Sequence, residues 1–269
     1  MISRVQLRGI SFQRVINAIV RRVKRIPGTL SFMYSKQGRT NSNLIKKFHN
    51  KHLGETCVLL ANGPSLKLTD LSKVKKFKTF GLNRIYLFFE ELGFQTDYLV
   101  CVNDLVLSQF QEEISNCKMP KFVHWRMRSL YNGSDNLFYV AKKLFGSSFS
   151  VDASKSLDSG VTVTYAALQL IYYMGFEKVL VVGMDHNFAF KGTANQTQIR
   201  KEEKDLNHFH PNYFPKGVKW QTPDLDSSDY YYKIAKGVFE KNGRVIIDCT
   251  INGKCEIFEK GKLEDYVQS

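Results

Sequence analysis

Carboxylates are missing from the start of the chain. Between Met1 and Gly54 there are twelve basic residues and no acidic one, and the first carboxylate is Glu55. Long hydrophobic runs are missing throughout: no stretch approaches the ~18 uninterrupted apolar residues of a membrane span, so no helix is expected to cross a bilayer. The five cysteines, Cys57, Cys101, Cys117, Cys249 and Cys255, include no CxxC pair and are odd in number. That spacing argues against a zinc site or a disulfide framework and fits a reducing cytosol. Cys57, Cys101 and Cys249 sit inside apolar runs and are expected in the core. Neither an internal repeat nor a low-complexity tract is present.

What is there suffices for one large domain: 269 residues, 43% hydrophobic and 13% aromatic. The net charge of +14 is unevenly placed, because beyond Gly54 the chain holds 27 basic and 25 acidic residues. The body is nearly neutral and the basicity belongs to an arm. Such an arm suits nucleic acid, anionic lipid or an acidic partner. It also resembles an organellar transit peptide in composition, but it runs straight into the first core strand. A secretory signal does not fit, since Arg21, Arg22, Lys24 and Arg25 stand where small residues would precede cleavage. Phe12, Ile16, Ile19, Val23 and Ile26 recur at steps of three and four, which predicts a basic amphipathic helix over 10–26. It would lie on a membrane surface or pack on its own domain. Pro27-Gly28 should end it, a linker should run to Ser42, and a second basic helix should span about Asn43–His52. The expected division is a basic arm and linker, 1–54, and a single domain, 55–269.

Strands are expected at Thr56–Ala61, Thr79–Leu82, Tyr98–Val102, Phe122–Trp125, Lys178–Gly183 and Arg244–Asp248, and helices near Ile85–Leu92, Leu105–Ser115, Val161–Met174 and Ser227–Lys241. The runs from Cys57 to Ala61 and from Val179 to Gly183 are apolar throughout rather than alternating, as in strands covered on both faces. The fold class that follows is α/β: a Rossmann-like, doubly wound, mainly parallel sheet with helices on both faces. Ligands of such sheets gather at the carboxyl ends of the strands, at a switch in strand order.

That rule selects the polar residues to examine. After the first strand stands Asn62-Gly63-Pro64-Ser65, a tight turn with exposed amides that is neither GxGxxG nor a Walker loop. Asn83 follows the second strand, Asn103-Asp104 the third, and Asp185-His186 the run ending at Gly183-Met184. Each alone could cap a helix; together they suit the donors and acceptors of a nucleotide or sugar. Ser159-Gly160 opens an apolar helix and offers unpaired amides to an anion. Two of the six histidines, His208 and His210, lie in an aromatic-rich loop before the last helix. No carboxylate or cysteine follows them at local ligand spacing, and a neutral imidazole suits a general base. The preceding residues, Lys191 to Asp205, suggest a lid, placed near 187–222.

In order, Asn62-Gly63-Pro64-Ser65-Leu66, Asn83, Asn103, Ser159-Gly160-Val161, Gly183-Met184-Asp185 and His208 resemble the motifs of bacterial CMP-sialic-acid-dependent sialyltransferases. The skeleton is also similar to the wider domain family shared with flagellin-glycosylation accessory proteins and the archaeal 6-hydroxymethylpterin diphosphokinase. The resemblance runs from about Glu55 to Cys255, outside the arm. It implies a nucleotide pocket formed by Asn62, Gly63, Pro64, Ser65, Asn83, Asn103 and Asp104, with Ser159, Gly160, Asp185 and His186 beside the phosphate or sugar. It implies His208 as the base, with His210 in reserve, and no metal for catalysis. Where those enzymes present two tyrosines to the leaving phosphate, this chain has His186-Asn187-Phe188-Ala189-Phe190-Lys191.

The resulting expectation is an inverting glycosyltransferase. It would move sialic acid, Kdo or a similar ulosonic acid from a CMP-activated donor to a surface-glycan or lipid-linked acceptor, with no cofactor beyond the donor. Residues 1–54 would hold it to the anionic inner face of the cytoplasmic membrane; a homo-oligomer is compatible. The alternative is a Mg-ATP-dependent diphosphokinase of the 6-hydroxymethylpterin type, with Asp104 and Asp185 holding the ion. Nucleic acid is not expected as a partner, since neither a known motif nor a second basic face supports it.

Overall fold

The structure, a computed structural model, describes residues 23, 26–131, 133–144, 148–158, 160–189 and 192–267. Most of the amphipathic helix expected over 10–26 lies outside these residues, as do Ser159 and Lys191.

In chain order the strands are β1 (Thr56–Leu60), β2 (Lys78–Leu82), β3 (Tyr98–Cys101), β4 (Lys121–His124), β5 (Leu137–Val140), β6 (Lys178–Val182), β7 (Thr197–Ile199), β8 (Lys219–Gln221), β9 (Val245–Asp248) and β10 (Glu259–Lys260). The helices are α1 (Ile26–Tyr34), α2 (Lys36–Lys46), α3 (Phe89–Leu92), α4 (Asp104–Gln109), α5 (Gln111–Asn116), α6 (Val163–Tyr173), α7 (Leu225–Lys241) and α8 (Glu264–Val267), with short 3-10 turns after β1, β2 and β4. Eight strands form one sheet in the order β10-β9-β6-β1-β2-β3-β4-β5, every pair parallel. Strand order reverses between β1 and β6, so their carboxyl ends form the switch point.

The reason the central strands are apolar throughout is visible in their burial. Cys57 and Leu59 pack toward α2, α6 and α7, while Val58 and Leu60 pack toward the 3-10 turns and α4–α5. Both sets are fully buried, which only a sheet covered on both faces provides. Cys57, Cys101 and Cys249 are core residues as expected, and all five cysteines are free thiols. Among the described residues, no helix is long and apolar enough to cross a membrane.

The segment after Pro27-Gly28 departs from expectation. Those two residues sit in the first turn of α1, where a proline lacks no needed hydrogen bond. The expected linker to Ser42 is helical, because Ser35 caps α2 through Gly38 N (3.0 Å) and Ile45 is buried under the sheet. The second basic helix is therefore α2 and ends at Lys46, not His52. Asn41 joins it to the sheet edge: its Nδ2 donates to Tyr139 O (2.6 Å) and its Oδ1 accepts from Tyr139 N (2.8 Å). His52 adds a buried bond to Tyr98 Oη at 2.7 Å. Residues 41–52 thus contribute to the body's core.

Candidate functional site

A cavity of about 200 Å³ opens at the carboxyl ends of β1, β2, β3 and β6, at the switch point. Its floor is made by Asn62, Gly63, Asn83 and Asn103; one wall is the entrance to α6, Val161–Thr164; the other is Trp220–Pro223 with Tyr232 of α7. His208 and Tyr213 come from the long segment between β6 and α7, within which β7 and β8 pair antiparallel.

Three asparagines reach this cavity for different reasons. Asn103 is a helix cap, its Oδ1 accepting from Leu105 N (2.9 Å) and Val106 N (3.3 Å). Asn62 and Asn83 are not: their Oδ1 atoms are buried without a hydrogen-bond partner among the described residues. A buried acceptor left unpaired costs about 1–3 kcal/mol, which a ligand bearing N–H or O–H groups would recover. Asn83 also holds a left-handed backbone, φ 46°, at its strand end.

Gly63 and Asp185 explain each other. An added Cβ on Gly63 would lie 1.8 Å from Asp185 Oδ2 and 2.7 Å from Gly183 O. The Asp185 carboxylate fills that space and accepts from Ser65 Oγ (2.7 Å) and Ser65 N (3.2 Å). It thereby joins the turn after β6 to the turn after β1. His186, in left-handed backbone at φ 54°, has Nε2 2.8 Å from Asp229 Oδ1 on α7.

The histidine loop is fastened to the same floor. Phe209 N donates to Asn62 O (3.0 Å), and Arg84, buried beside Asn83, donates from Nη1 to Asn212 O (3.0 Å) and to Tyr213 O. The Arg84 guanidinium lies 3.6 Å over the Phe110 ring and pairs with Glu113 Oε2 at 2.8 Å. Within the loop His208 stacks on Tyr213, ring centroids 4.0 Å apart and planes 5° from parallel. Its Nδ1 is 2.8 Å from Oδ2 of Asp205, whose carboxylate is completely buried and also accepts from Asn207 N (2.9 Å) and Phe214 N (3.2 Å). Burial pushes the Asp205 carboxyl up. The hydrogen bond and charge of His208, the Asn207 amide and Arg200 outweigh that, so its pKa lies below the ordinary value. An ionised Asp205 keeps the proton on Nδ1 and leaves Nε2 as the basic nitrogen.

Of the residues singled out in the sequence, Asn62, Gly63, Asn83, Asn103, Asp185, His186 and His208 line this cavity. Pro64 begins the 3-10 turn behind it, Ser65 is engaged by Asp185, and Gly160 packs beside Tyr165 and Tyr231. His210 does not line it; its Nδ1 accepts from Asn212 N at 3.1 Å. Asp104 faces away, with Oδ1 2.6 Å from His124 Nδ1 and 3.6 Å from Lys142 Nζ. Burial raises its pKa, but these partners and Arg126 lower it further, to well below the usual carboxylate range. Among the described residues no group of three or more His, Cys, Asp or Glu is arranged to hold a metal ion.

Sequence reasoning missed Asp205, Thr162 and Tyr232. Asp205 lies three residues before His208 in a charged run, a spacing that lets the two side chains meet in a turn. Tyr232 belongs to the buried series Ser228, Tyr232, Ala235 and Phe239 of α7, a helical spacing that singles it out from Tyr230 and Tyr231. Its hydroxyl, 3.3 Å from Thr162 Oγ1, is pushed up to about 12 by burial and so stays a protonated donor. Two tyrosines therefore line the cavity, Tyr232 from α7 and Tyr213 from the long segment after Asp185.

A parallel α/β sheet with a polar cleft at its switch point and an Asp–His pair beside it defines a Rossmann-like domain. The chain belongs to the MptE-like family: the family model described as 6-hydroxymethylpterin diphosphokinase MptE-like matches residues 32–191. Among solved structures it is similar to the MAf glycosyltransferase from Magnetospirillum magneticum AMB-1, with 14% identity and a TM-score of 0.49. That similarity covers 82% of this chain but 38% of the other, so the chain spans well under half the length of that relative. No curated protein matches the chain.

Proposed function

We propose that the protein is an inverting glycosyltransferase that takes a sugar from a nucleotide-activated donor, with His208 as general base. The observation that carries this reading is the Asp205–His208 pair beside a cavity whose floor holds two amide oxygens, Asn62 Oδ1 and Asn83 Oδ1, with no partner among the described residues. Those acceptors suit the amino group of a cytosine or the hydroxyls of a ribose. The positive end of α6 and the Tyr232 hydroxyl suit the phosphate, through the helix dipole and a protonated donor.

In the reaction, Nε2 of His208 takes the proton of an acceptor hydroxyl while that oxygen attacks the anomeric carbon. The bond from that carbon to the phosphate oxygen breaks, and its electron pair leaves with the nucleoside monophosphate. Attack opposite the leaving group inverts the centre. The hydrogen bond that Tyr232 donates to the departing phosphate grows stronger as charge develops there. A CMP-linked ulosonic acid is the donor this reading favours, with a surface glycan or its lipid-linked precursor as acceptor. The basic residues before Val23 would hold the protein to an anionic membrane face.

The family description favours a second reading, Mg-ATP-dependent diphosphoryl transfer to a pterin-like alcohol. Its candidate ion ligands fit poorly: Asp185 is occupied by Ser65, and Asp104 by His124 and Lys142 outside the cavity. Thermal melts with CMP, CDP, UDP, GDP and ATP, each with Mg²⁺ and with EDTA, separate the two, because a ligand of the native state raises Tm. Stabilisation by CMP that survives EDTA is expected. Stabilisation by ATP alone, and only with Mg²⁺, would overturn the transferase.

A further inference from the structure

A second cavity, of about 290 Å³, lies farther along the same rim, at the carboxyl ends of β4 and β5. The two cavities are linked through one dipeptide: Asn103 lines the first, and the next residue, Asp104, holds His124 of the second at 2.6 Å. Its lining includes Arg126, Arg128, Lys142 and His124, with Asp104 the carboxylate beside His124 and Lys142. Three permanent cations against one carboxylate leave a positive site.

Trp125 carries the more specific observation. It is 1% exposed and lines the cavity, yet among the described residues its buried Nε1–H has no acceptor. The Arg128 guanidinium lies 4.4 Å over the same ring and is steadied by Trp125 O (3.3 Å) and Ser31 Oγ (3.4 Å). Indole and guanidinium donate only, and an ammonium does too. A cavity whose unsatisfied buried group is a donor, surrounded by further donors and positive charge, calls for an oxyanion with several acceptor oxygens.

We propose that this cavity binds a phosphoryl group of a second substrate, with Arg126, Arg128, Lys142 and Trp125 Nε1 as its donors. Its place beside the first cavity makes it the position for a phosphate- or diphosphate-bearing acceptor. That assignment rests on the transferase reading; the anion site itself does not.

The chain has two tryptophans, Trp125 in the second cavity and Trp220 in the first, so each cavity has its own reporter. Full-length Trp220→Phe is titrated with inorganic pyrophosphate at constant ionic strength while Trp125 emission is followed. A saturable change is expected. It should weaken about tenfold in Arg126→Gln, through loss of a charge-assisted hydrogen bond, and tighten in Asp104→Asn. Arg126 is exposed, so its variant keeps the test sound where Arg128→Gln fails to fold. Absence of any saturable change, or equal affinity in wild-type background and Arg126→Gln, overturns the proposal. Geranyl diphosphate identifies the source: tighter binding than pyrophosphate supports a lipid-linked phosphoryl group, and equal binding supports a soluble one. CMP titrated into Trp125→Phe, read through Trp220, tests the first cavity separately. Pyrophosphate binding without CMP binding would keep this site and remove the transferase reading.

Discussion

Asp205 and His208 form a buried carboxylate–imidazole pair, 2.8 Å apart, on a loop that is itself bonded to the first turn of the sheet through Phe209 N and Asn62 O at 3.0 Å. The carboxylate sets which ring nitrogen carries the proton, and the backbone bond sets how far the ring stands from the cavity floor. The histidine loop and the cavity floor are thus connected without passing through the sheet. Removal of the imidazole in His208→Ala should lower transfer by about 10²–10⁴-fold, the usual worth of a general base, while CMP affinity changes little. Asp205→Asn should also lower transfer and shift its pH profile, because the imidazole loses its fixed tautomer. Initial rates alongside calorimetric CMP binding check both; loss of CMP binding in His208→Ala would assign that residue to the pocket instead.

Arg84 is the main fastener of the loop. It replaces water for two loop carbonyls, Asn212 O and Tyr213 O, and is 5% exposed at its side chain. Arg84→Met should destabilise the fold by about 2 kcal/mol or more, since hydrogen bonds to a charged group contribute about 1.5–3 kcal/mol each. The loop should also become more sensitive to protease between residues 192 and 222. Urea melts and limited proteolysis together separate a local loosening from global unfolding. Unchanged cleavage of that segment would remove Arg84 from this role.

Gly63→Ala tests the close approach of the two strand-end turns. Its methyl would displace the Asp185 carboxylate, and neither the Gly183 carbonyl nor the backbone around it can yield freely. A destabilisation of about 1–3 kcal/mol is expected, as for other overpacked sites, with weaker CMP binding because Asn62 moves with the turn. Equal Tm for variant and wild type would show that the turns have room to part.

The Asp104–His124 contact predicts an acid-side loss of stability. The Asp104 carboxyl has a folded pKa below its ordinary value of 3.8, so it contributes stability in full above about pH 4, and this is lost as pH falls through the lower folded value. Asp104→Asn should therefore be less stable than wild type at pH 5 and approach it at pH 2. Denaturant midpoints at the two pH values measure this; a constant difference between them would exclude the linkage.

The sheet was legible in the sequence because its central strands are apolar on both faces, and the six expected strands coincide with β1–β4, β6 and β9 to within a residue or so. β5 was not, since its apolar run Leu137–Ala141 is short and the strand is completed from afar by the Asn41 amide. The candidate site was legible at strand ends, where the rule for parallel sheets points, and seven of the marked residues line one cavity. Asp205 and Tyr232 were hidden for opposite reasons. Asp205 follows Lys201-Glu202-Glu203-Lys204 and resembles a solvated run, yet folding buries it completely. Tyr232 has two tyrosine neighbours, and only helical phase distinguishes it.

The packing of α1 and α2 changes how the basic arm should be tested. A cut at residue 42 would remove Phe32, which packs edge-on against Trp125 at 5.2 Å, and Asn41, which completes β5. Loss of membrane binding in such a variant could then reflect a damaged fold. Deletion of residues 1–22 removes Arg4, Arg8, Arg14, Arg21 and Arg22 and leaves every described helix in place. Each basic residue near an anionic surface contributes on the order of 1 kcal/mol of attraction, so this deletion should release the protein from anionic vesicles with Tm and CMP binding unchanged. Retained vesicle binding would place the lipid-facing charge on the body, where Arg126 and Arg128 border the second cavity. The Arg126→Gln variant sedimented with the same vesicles then decides between the two.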